Sequence, residues 1–413
     1  MNVQNLSYGL LGEKLAHSYS PQIHGLLGSY PYRLFPVPKQ ELDRFLNQRK
    51  FLGLNVTIPY KEAVIPYCST LSPAAREIGA VNTITLDDEG LLHGYNTDAF
   101  GFTYLCRRSG IAVAGRKVLV LGSGGASKTV CAVLKQMKAG EIVVISRKGN
   151  NTYDTLFHHV DAEVIVNTTP VGMYPNNGSA PLNLRIFPRL KGVIDLIYNP
   201  LKTALLLDAE EIGVPFANGL LMLTAQAAQA SELFAKTKLS DDTIDCVTRR
   251  VESTNRNIIL VGMPGSGKTT IGRLLSETLG RKHEDTDDII EHLSARRTAE
   301  LLKSEGENKF RELEARVVAM VCAKSGLIIS TGGGAPLRDE NQRAMRQNGT
   351  VIFLSRCTDK LDRSGRPLSC STEALKLMYS QRLPIYRAVS DFEIENDGLP
   401  EDTVCQIRRQ LCI

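Results

Sequence analysis

Four short apolar runs, rich in β-branched residues and punctuated by Gly and Pro, mark the middle of the chain: "VLVLG" (118 to 122), "IVVIS" (142 to 146), "EVIVNTTP" (163 to 170) and "GVIDLIY" (192 to 198). With helix-like stretches between some of them, they predict βαβ units in a parallel sheet. Upstream, "YGLLG", "YRLFPVP", "GLNVTIP" and "AVNTITL" predict a separate mixed α/β unit over about residues 1 to 105, and "GLLMLTAQAAQASELFAKT" (219 to 237) reads as a helix. Apolar residues then thin out, and "VESTNR" (251 to 256) is the expected linker. "NIILVGMPGSGKTTIGRLLSETLG" begins a new strand, loop and helix, with further strands expected at "GLIISTGGG" and "TVIFLS". The two glycine-rich loops differ in spacing and context, so no internal repeat is visible.

At 413 residues and 43% hydrophobic, the chain can bury two or three domain cores. Its 49 basic and 44 acidic residues leave a net charge of +5, without a basic run of the kind that binds nucleic acid, so the expected partners are small anions. Nine cysteines, scattered singly with no C-x-x-C, argue against a disulfide framework or a structural zinc site and for a reducing cytoplasm. No export signal or membrane span is expected.

The chemistry concentrates in the two loops. Gly262, four residues, Gly267, Lys268 and Thr269 satisfy G-x-x-x-x-G-K-[ST] between an apolar strand and a helix. Backbone N–H groups of Gly265, Ser266, Gly267 and Thr270 are expected to wrap ATP phosphates. Lys268 should meet the β/γ-phosphates and the Thr269 hydroxyl a Mg²⁺ ion.

Downstream stand "HEDTDDII", "GENKFRELEARVV", "STGGGAP" and "RSGRPLS". Singly, each has a bland reading: a helix N-cap with an acidic first turn for "DTDD", a solvated ion pair for Arg311 and Glu314. Together, in this order behind the loop, they make residues 256 to 413 resemble shikimate kinase. The resemblance implies Asp285 near Mg²⁺, Asp287 as base on the accepting hydroxyl, and Arg311 and Arg387 on the substrate carboxylate. It further implies Gly332, Gly333 and Gly334 against the substrate ring and Arg366 as a lid arginine over the ATP phosphates, on a lid that looks short. These residue types suit those tasks, because carboxylates serve metals and bases and guanidinium forks pair bidentately with carboxylates.

The other loop, "VLVLGSGGASKTV", sets Gly122, Ser123, Gly124, Gly125 and Ala126 after a strand, so that a helix N-terminus faces a pyrophosphate. Ser127 replaces the third glycine of the dinucleotide fingerprint. The next strand ends without an acidic residue for a ribose 2′-hydroxyl and carries Arg147 and Lys148 instead, which suits the 2′-phosphate of NADP.

Around it, "KLAHSYSPQIH", "GLNVTIPYKEAV", "GAVNT", "GYNTDAFG", "VNTTPVGM" and "GLLMLTAQAA" make residues 5 to 250 resemble shikimate dehydrogenase. The resemblance implies that Ser18 and Ser20 bind the substrate carboxylate, that Thr57, Asn82 and Gln226 hold ring hydroxyls, and that Asn55 and Tyr198 add substrate contacts. Gly219 and Met222 join the cofactor site, and Lys61 and Asp98 are the catalytic pair. A positioned ammonium can stabilise the charge that hydride delivery builds on a ketone oxygen, and a carboxylate can orient it. His17 is expected to be structural.

The expected whole is α/β. A substrate domain over 1 to 105, with helix 219 to 237 packing back on it, precedes a Rossmann-like NADP domain over 106 to 250. The linker over 251 to 256 then leads to a P-loop kinase domain over 257 to 413. The two resemblances imply NADP(H), ATP and Mg²⁺ as cofactors and 3-dehydroshikimate and shikimate, consecutive species of one route, as small-molecule partners. Two alternatives stay open: a quinate-oxidising dehydrogenase fused to a small-molecule kinase, and a nucleotide-binding regulatory protein without turnover.

Overall fold

A computed structural model describes residues 6–15, 18–361 and 372–413. Two compact units emerge, one formed by the chain up to Tyr198 together with Asp208–Ser253, the other by Asn199–Leu207 together with Thr254–Ile413.

The first unit carries two sheets. β1 (Tyr8–Gly12), β2 (Tyr32–Pro36), β3 (Gly53–Val56), β4 (Thr70–Leu71), β5 (Thr83–Leu86) and β6 (Leu92–Tyr95) form the first, in the order β2-β1-β3-β5-β6-β4. β1 is parallel to β2 and β3, and β5 runs antiparallel to both neighbours, so this sheet is mixed. Leu11, Leu54, Val56, Val64 and Ile84 centre its core.

β7 (Lys117–Leu121), β8 (Glu141–Ile145), β9 (Val164–Asn167), β10 (Gly192–Asp195) and β11 (Phe216–Ala217) form a wholly parallel sheet in the order β11-β10-β9-β7-β8. The four residues Val118 to Leu121 are buried without alternation, as expected where both faces of a parallel sheet are covered. Between β8 and β9 the chain makes only a short 3₁₀ segment, Tyr153–His159. Helix Leu220–Ala235 returns to the first sheet, where the Tyr8 hydroxyl donates to the Phe234 carbonyl and the two rings stack at 4.5 Å.

In the second unit β12 (Asn257–Val261), β13 (His283–Asp285), β14 (Ile328–Ser330), β15 (Gly349–Ser355) and β16 (Phe392–Glu395) are all parallel, in the order β13-β14-β12-β15-β16. The two-residue period of a strand divides the core. Ile258 and Leu260 pack with Ile271, Leu275 and Ile394 on one face, while Ile259 and Val261 pack with Val317, Val321 and Tyr386 on the other.

The expected linker is largely helical: helix Asp241–Asn255 runs through residues 251 to 255, burying Ile244, Val247 and Val251 at helical spacing, and β12 begins two residues later. The apolar stripe there is narrow, so the sequence thins in hydrophobicity without ceasing to be amphipathic. Among the described residues no helix is long and apolar enough to cross a membrane.

Candidate functional sites

In the first unit several predicted residues stand at or just past the carboxyl ends of parallel strands. Asn55 lies in β3, Thr57 just after it, the glycine loop directly after β7, and Tyr198 three residues past β10. The decisive contact joins two segments: the Lys61 ammonium lies 2.7 Å from the Asp98 carboxylate, both half-buried or better. Asp98 is the first residue of helix Asp98–Ser109, so its carboxylate stands beside the positive end of the helix dipole.

Beside this pair runs a buried polar network. The Asn82 amide donates to Gln226 (2.9 Å) and to the Thr97 hydroxyl (3.0 Å), and its oxygen accepts from the Thr97 backbone N–H (2.6 Å). Asn55 donates to Thr83 and accepts from the Tyr32 hydroxyl at 2.8 Å. The Ser18 hydroxyl donates to that of Ser20 at 3.1 Å, and Tyr19 and Tyr198 bring their rings to 5.2 Å. Tyr32, Thr83 and Thr97 escaped sequence reasoning, because each earns its place by a partner remote in the chain. Burial raises the Tyr32 hydroxyl well above its ordinary pKa and pushes the imidazole of His24, stacked on it at 3.9 Å, down to about 3. Both stay neutral donors and acceptors at physiological pH.

The dinucleotide loop has the shape for a pyrophosphate. Gly122 adopts φ +106°, Gly124 caps helix Gly125–Gln136 with no side-chain partner, and a Cβ on Gly124 or Gly125 would meet nothing within 4 Å. The helix N-terminus therefore faces open space. Ser123 and Ala126 sit in the same turn, and Ser127 is buried, filling the position of the missing glycine. Arg147 and Lys148 are exposed, in a turn closed by Ser146 and Asn151. Gly219 caps helix Leu220–Ala235 where a side chain would strike the Leu196 backbone. Met222, expected at the cofactor, is 8% exposed, and most of it is taken up in the core against Gly101.

The second unit holds a cavity of about 410 Å³. Its floor is the loop between β12 and helix Lys268–Leu279, with Gly265 and Gly267 at φ +85° and +92°, and Thr270 on its wall. The Lys268 ammonium donates to the Gly262 and Met263 carbonyls, both at 2.9 Å, and is buried beneath the loop. The Ser266 hydroxyl is buried without a partner. Thr269 donates to Asp285 at 2.7 Å, and Asp285 caps helix Thr286–Ser294 through the Asp287 N–H. The N-cap reading of this acidic run thus holds, and the same carboxylate also ties the run to the loop through Thr269.

Asp287 faces Glu314 across Gly332: a Cβ there would lie 2.7 Å from Glu314 Oε1 and 2.8 Å from Asp287 Oδ1. Gly334 is likewise closed by Arg311, and Gly333 by Pro264. Burial first, then the charges of Asp285 and Glu314, push the Asp287 carboxyl up to about 6. Arg311 donates to Glu314 Oε2 at 2.8 Å, while Glu314 Oε1 is buried and unpaired.

Arg387 is a correction. It lies exposed on helix Thr372–Val389, paired with Glu393 at 2.8 Å, and does not line the cavity. Arg382, on the same helix, does, and donates to the Gly333 carbonyl at 3.2 Å. Five residues at about 100° each turn the two side chains about 140° apart, so only one can face the cavity. We expect R382M to raise the acceptor KM about tenfold or more, by loss of a charge-assisted contact, and R387M to leave it unchanged. Steady-state kinetics at saturating ATP decide. Arg366 lies outside the described residues, as does His17.

Residues 10–84 match the family model "Shikimate dehydrogenase substrate binding domain" and residues 264–412 the model "Shikimate kinase". A shikimate dehydrogenase (NADP(+)) of Clostridium beijerinckii is 38% identical over 254 residues, 57% of this chain and 93% of that protein. The chain belongs to the shikimate dehydrogenase family. Among solved structures, a chorismate mutase/shikimate 5-dehydrogenase fusion from Clostridium acetobutylicum aligns with a TM-score of 0.58 at 38% identity, over 60% of this chain and 98% of that one. The Thermus thermophilus shikimate 5-dehydrogenase in complex with NADP(H) and shikimate aligns with 0.54 at 33% identity, over 60% and 99%. These dehydrogenase relatives cover the first part of the chain, and the kinase match lies beyond them.

Proposed function

We propose that the chain carries out two consecutive steps: reduction of 3-dehydroshikimate to shikimate with NADPH, then phosphorylation of shikimate from ATP to shikimate 3-phosphate. Both enzymatic activities follow from the family assignments. The observation that supports the site-level reading is that Lys61 lies against Asp98 in one unit, while Lys268, Asp287 and Arg311 line a single cavity in the other.

In the first unit, Lys61 donates the proton to the ketone oxygen, and Asp98 holds the ammonium in place. NADPH, when bound, supplies the hydride. The open face at Gly124 and Gly125 fits its pyrophosphate, and the exposed Arg147 and Lys148 would reach its 2′-phosphate. Ser18 and Ser20 take the substrate carboxylate, and Asn55, Thr57, Asn82, Gln226 and Tyr198 its ring. The amide network fixes which oxygen and which nitrogen of Asn82 and Gln226 face the substrate hydroxyls.

In the second unit, Asp287 takes the proton from the attacking hydroxyl. Arg311, with Arg382 in the role first given to Arg387, clamps the carboxylate. Glu314 Oε1, desolvated and unpaired, accepts from a second ring hydroxyl and so recovers a hydrogen bond lost on burial. The loop backbone, Lys268 and Thr269 would hold the ATP phosphates, and Thr269 with Asp285 the Mg²⁺, whose charge offsets that building on the transferred phosphoryl group.

We also propose a division into a substrate domain over 1 to 105, an NADP domain over 106 to 250 and a kinase domain from 257, with the joining segment helical to Asn255. Free thiols at all eight described cysteines suit a reducing, cytoplasmic location. The test combines both steps in one cuvette: dehydroshikimate and NADPH, then MgATP. NADPH loss followed by ADP release is expected. NADPH loss with no ADP, even after added shikimate, would remove the kinase assignment, and binding of both nucleotides without turnover would favour a regulatory protein.

A further inference from the structure

Arg356 stands at the carboxyl end of β15, immediately after Ser355. It lines the same cavity as the phosphate loop, and one of its terminal nitrogens lies 3.7 Å from where a Cβ of Gly267 would stand. Its Nε is buried and makes no hydrogen bond. A buried guanidinium N–H without an acceptor is costly and uncommon, and here it belongs to a partly buried arginine that faces the cavity.

Two polar residues on this side of the loop are engaged elsewhere. Asn396, closest to Gly267 on the same side, donates its amide to the Ser266 carbonyl at 2.7 Å and accepts from Thr403 at 2.8 Å. The Asp397 carboxylate accepts from the Cys357 backbone N–H at 3.0 Å. The acidic residues lining the cavity are Asp285, Asp287 and Glu314, bonded to Thr269, set at Gly332, and bonded to Arg311 respectively. Arg356 instead adjoins Gly267, whose backbone opens the phosphate-binding helix.

We infer that Arg356 is an additional phosphate-binding residue of the kinase, its guanidinium fork taking phosphate oxygens of the bound nucleotide from the β15 side of the loop. This rests on the kinase reading of the second unit. Nothing in the glycine-loop pattern signals it, since Arg356 is 88 residues from Lys268 in the chain and reaches the loop only because β15 lies next to β12. A planar fork at that edge suits a phosphate's paired oxygens better than a lysine would.

The test uses the full chain with R356M, close in volume and uncharged, and R356K, which keeps the charge and loses the fork. ADP and adenosine binding are measured by calorimetry alongside kinase and dehydrogenase kinetics. For R356M we expect the KM for ATP and the Kd for ADP to rise about tenfold or more, the loss of a charge-assisted phosphate contact. Adenosine binding, acceptor KM and dehydrogenase rate should stay unchanged, and R356K should recover part of the loss. Unchanged ADP binding overturns the inference. So does an equal loss of adenosine binding, which would make Arg356 a base contact. If the parent chain fails to turn over shikimate, the kinase reading falls, and ADP binding to the two variants still decides the role of Arg356.

Discussion

Asp287→Asn should reduce shikimate phosphorylation by about 10²- to 10⁴-fold, the span of general-base contributions, while making the second unit harder to unfold at pH 7. The two effects share a cause. The carboxyl is held up to about 6 by burial and by the neighbouring charges of Asp285 and Glu314, so the folded state binds its proton more tightly than the unfolded chain, whose group titrates near its ordinary 3.8. The stability that goes with the tighter proton is complete below the unfolded pKa and is lost as pH rises through about 6. At neutral pH the ionised, buried group therefore costs up to about 3 kcal/mol, which an amide of the same shape avoids.

Thermal unfolding at pH 7 should shift upward in the variant, and the difference should close as pH falls toward the unfolded pKa. The native kinase should lose kcat/KM below about pH 6 as Asp287 takes up its proton, with the dehydrogenase rate as internal control. A variant that is less stable at pH 7, or that keeps wild-type turnover, would remove Asp287 from the role of base.

Replacing Lys61 by Met is expected to slow NADPH-dependent reduction by about 10²- to 10⁴-fold with little change in the KM for dehydroshikimate, because the ammonium matters chiefly once charge builds on the oxygen. The apolar stem of Lys61 is conserved in Met, so packing is preserved, and NADPH binding, made beyond β7, should be unaffected. Asp98→Asn should fall between the two, since the lysine stays in place but loses the carboxylate at 2.7 Å that orients it. Stopped-flow fluorescence of NADPH separates the hydride step from release. A reduction rate within a few-fold of wild type in the Lys61 variant would assign proton delivery elsewhere, with water reaching the site through the Lys61 face as the alternative donor.

The phosphate loop was legible from the sequence because its work is done by consecutive backbone groups: Gly265 and Gly267 need positive φ, Lys268 must follow, and a strand must precede. The same holds for Gly122 to Ser127 and for the acidic run at Asp285, whose N-cap comes from three adjacent residues. Lys61 and Asp98 stood out only through the resemblance of their surroundings, and their 2.7 Å contact is made by chain segments 37 residues apart.

Sequence alone indicated most of the strands, the two glycine loops and the carboxylate and arginine types around them, since these depend on local backbone geometry and on chemistry carried within a few residues. Short strands such as β4, β11 and β13 left no apolar run to read. Tertiary structure decided which of two arginines on one helix faces the cavity, that Asn82 and Gln226 lock one another, that residues 251 to 255 continue a helix, and that Arg356 reaches the loop. Those outcomes depend on helix rotation and strand order, which bring together groups that no periodicity along the chain connects.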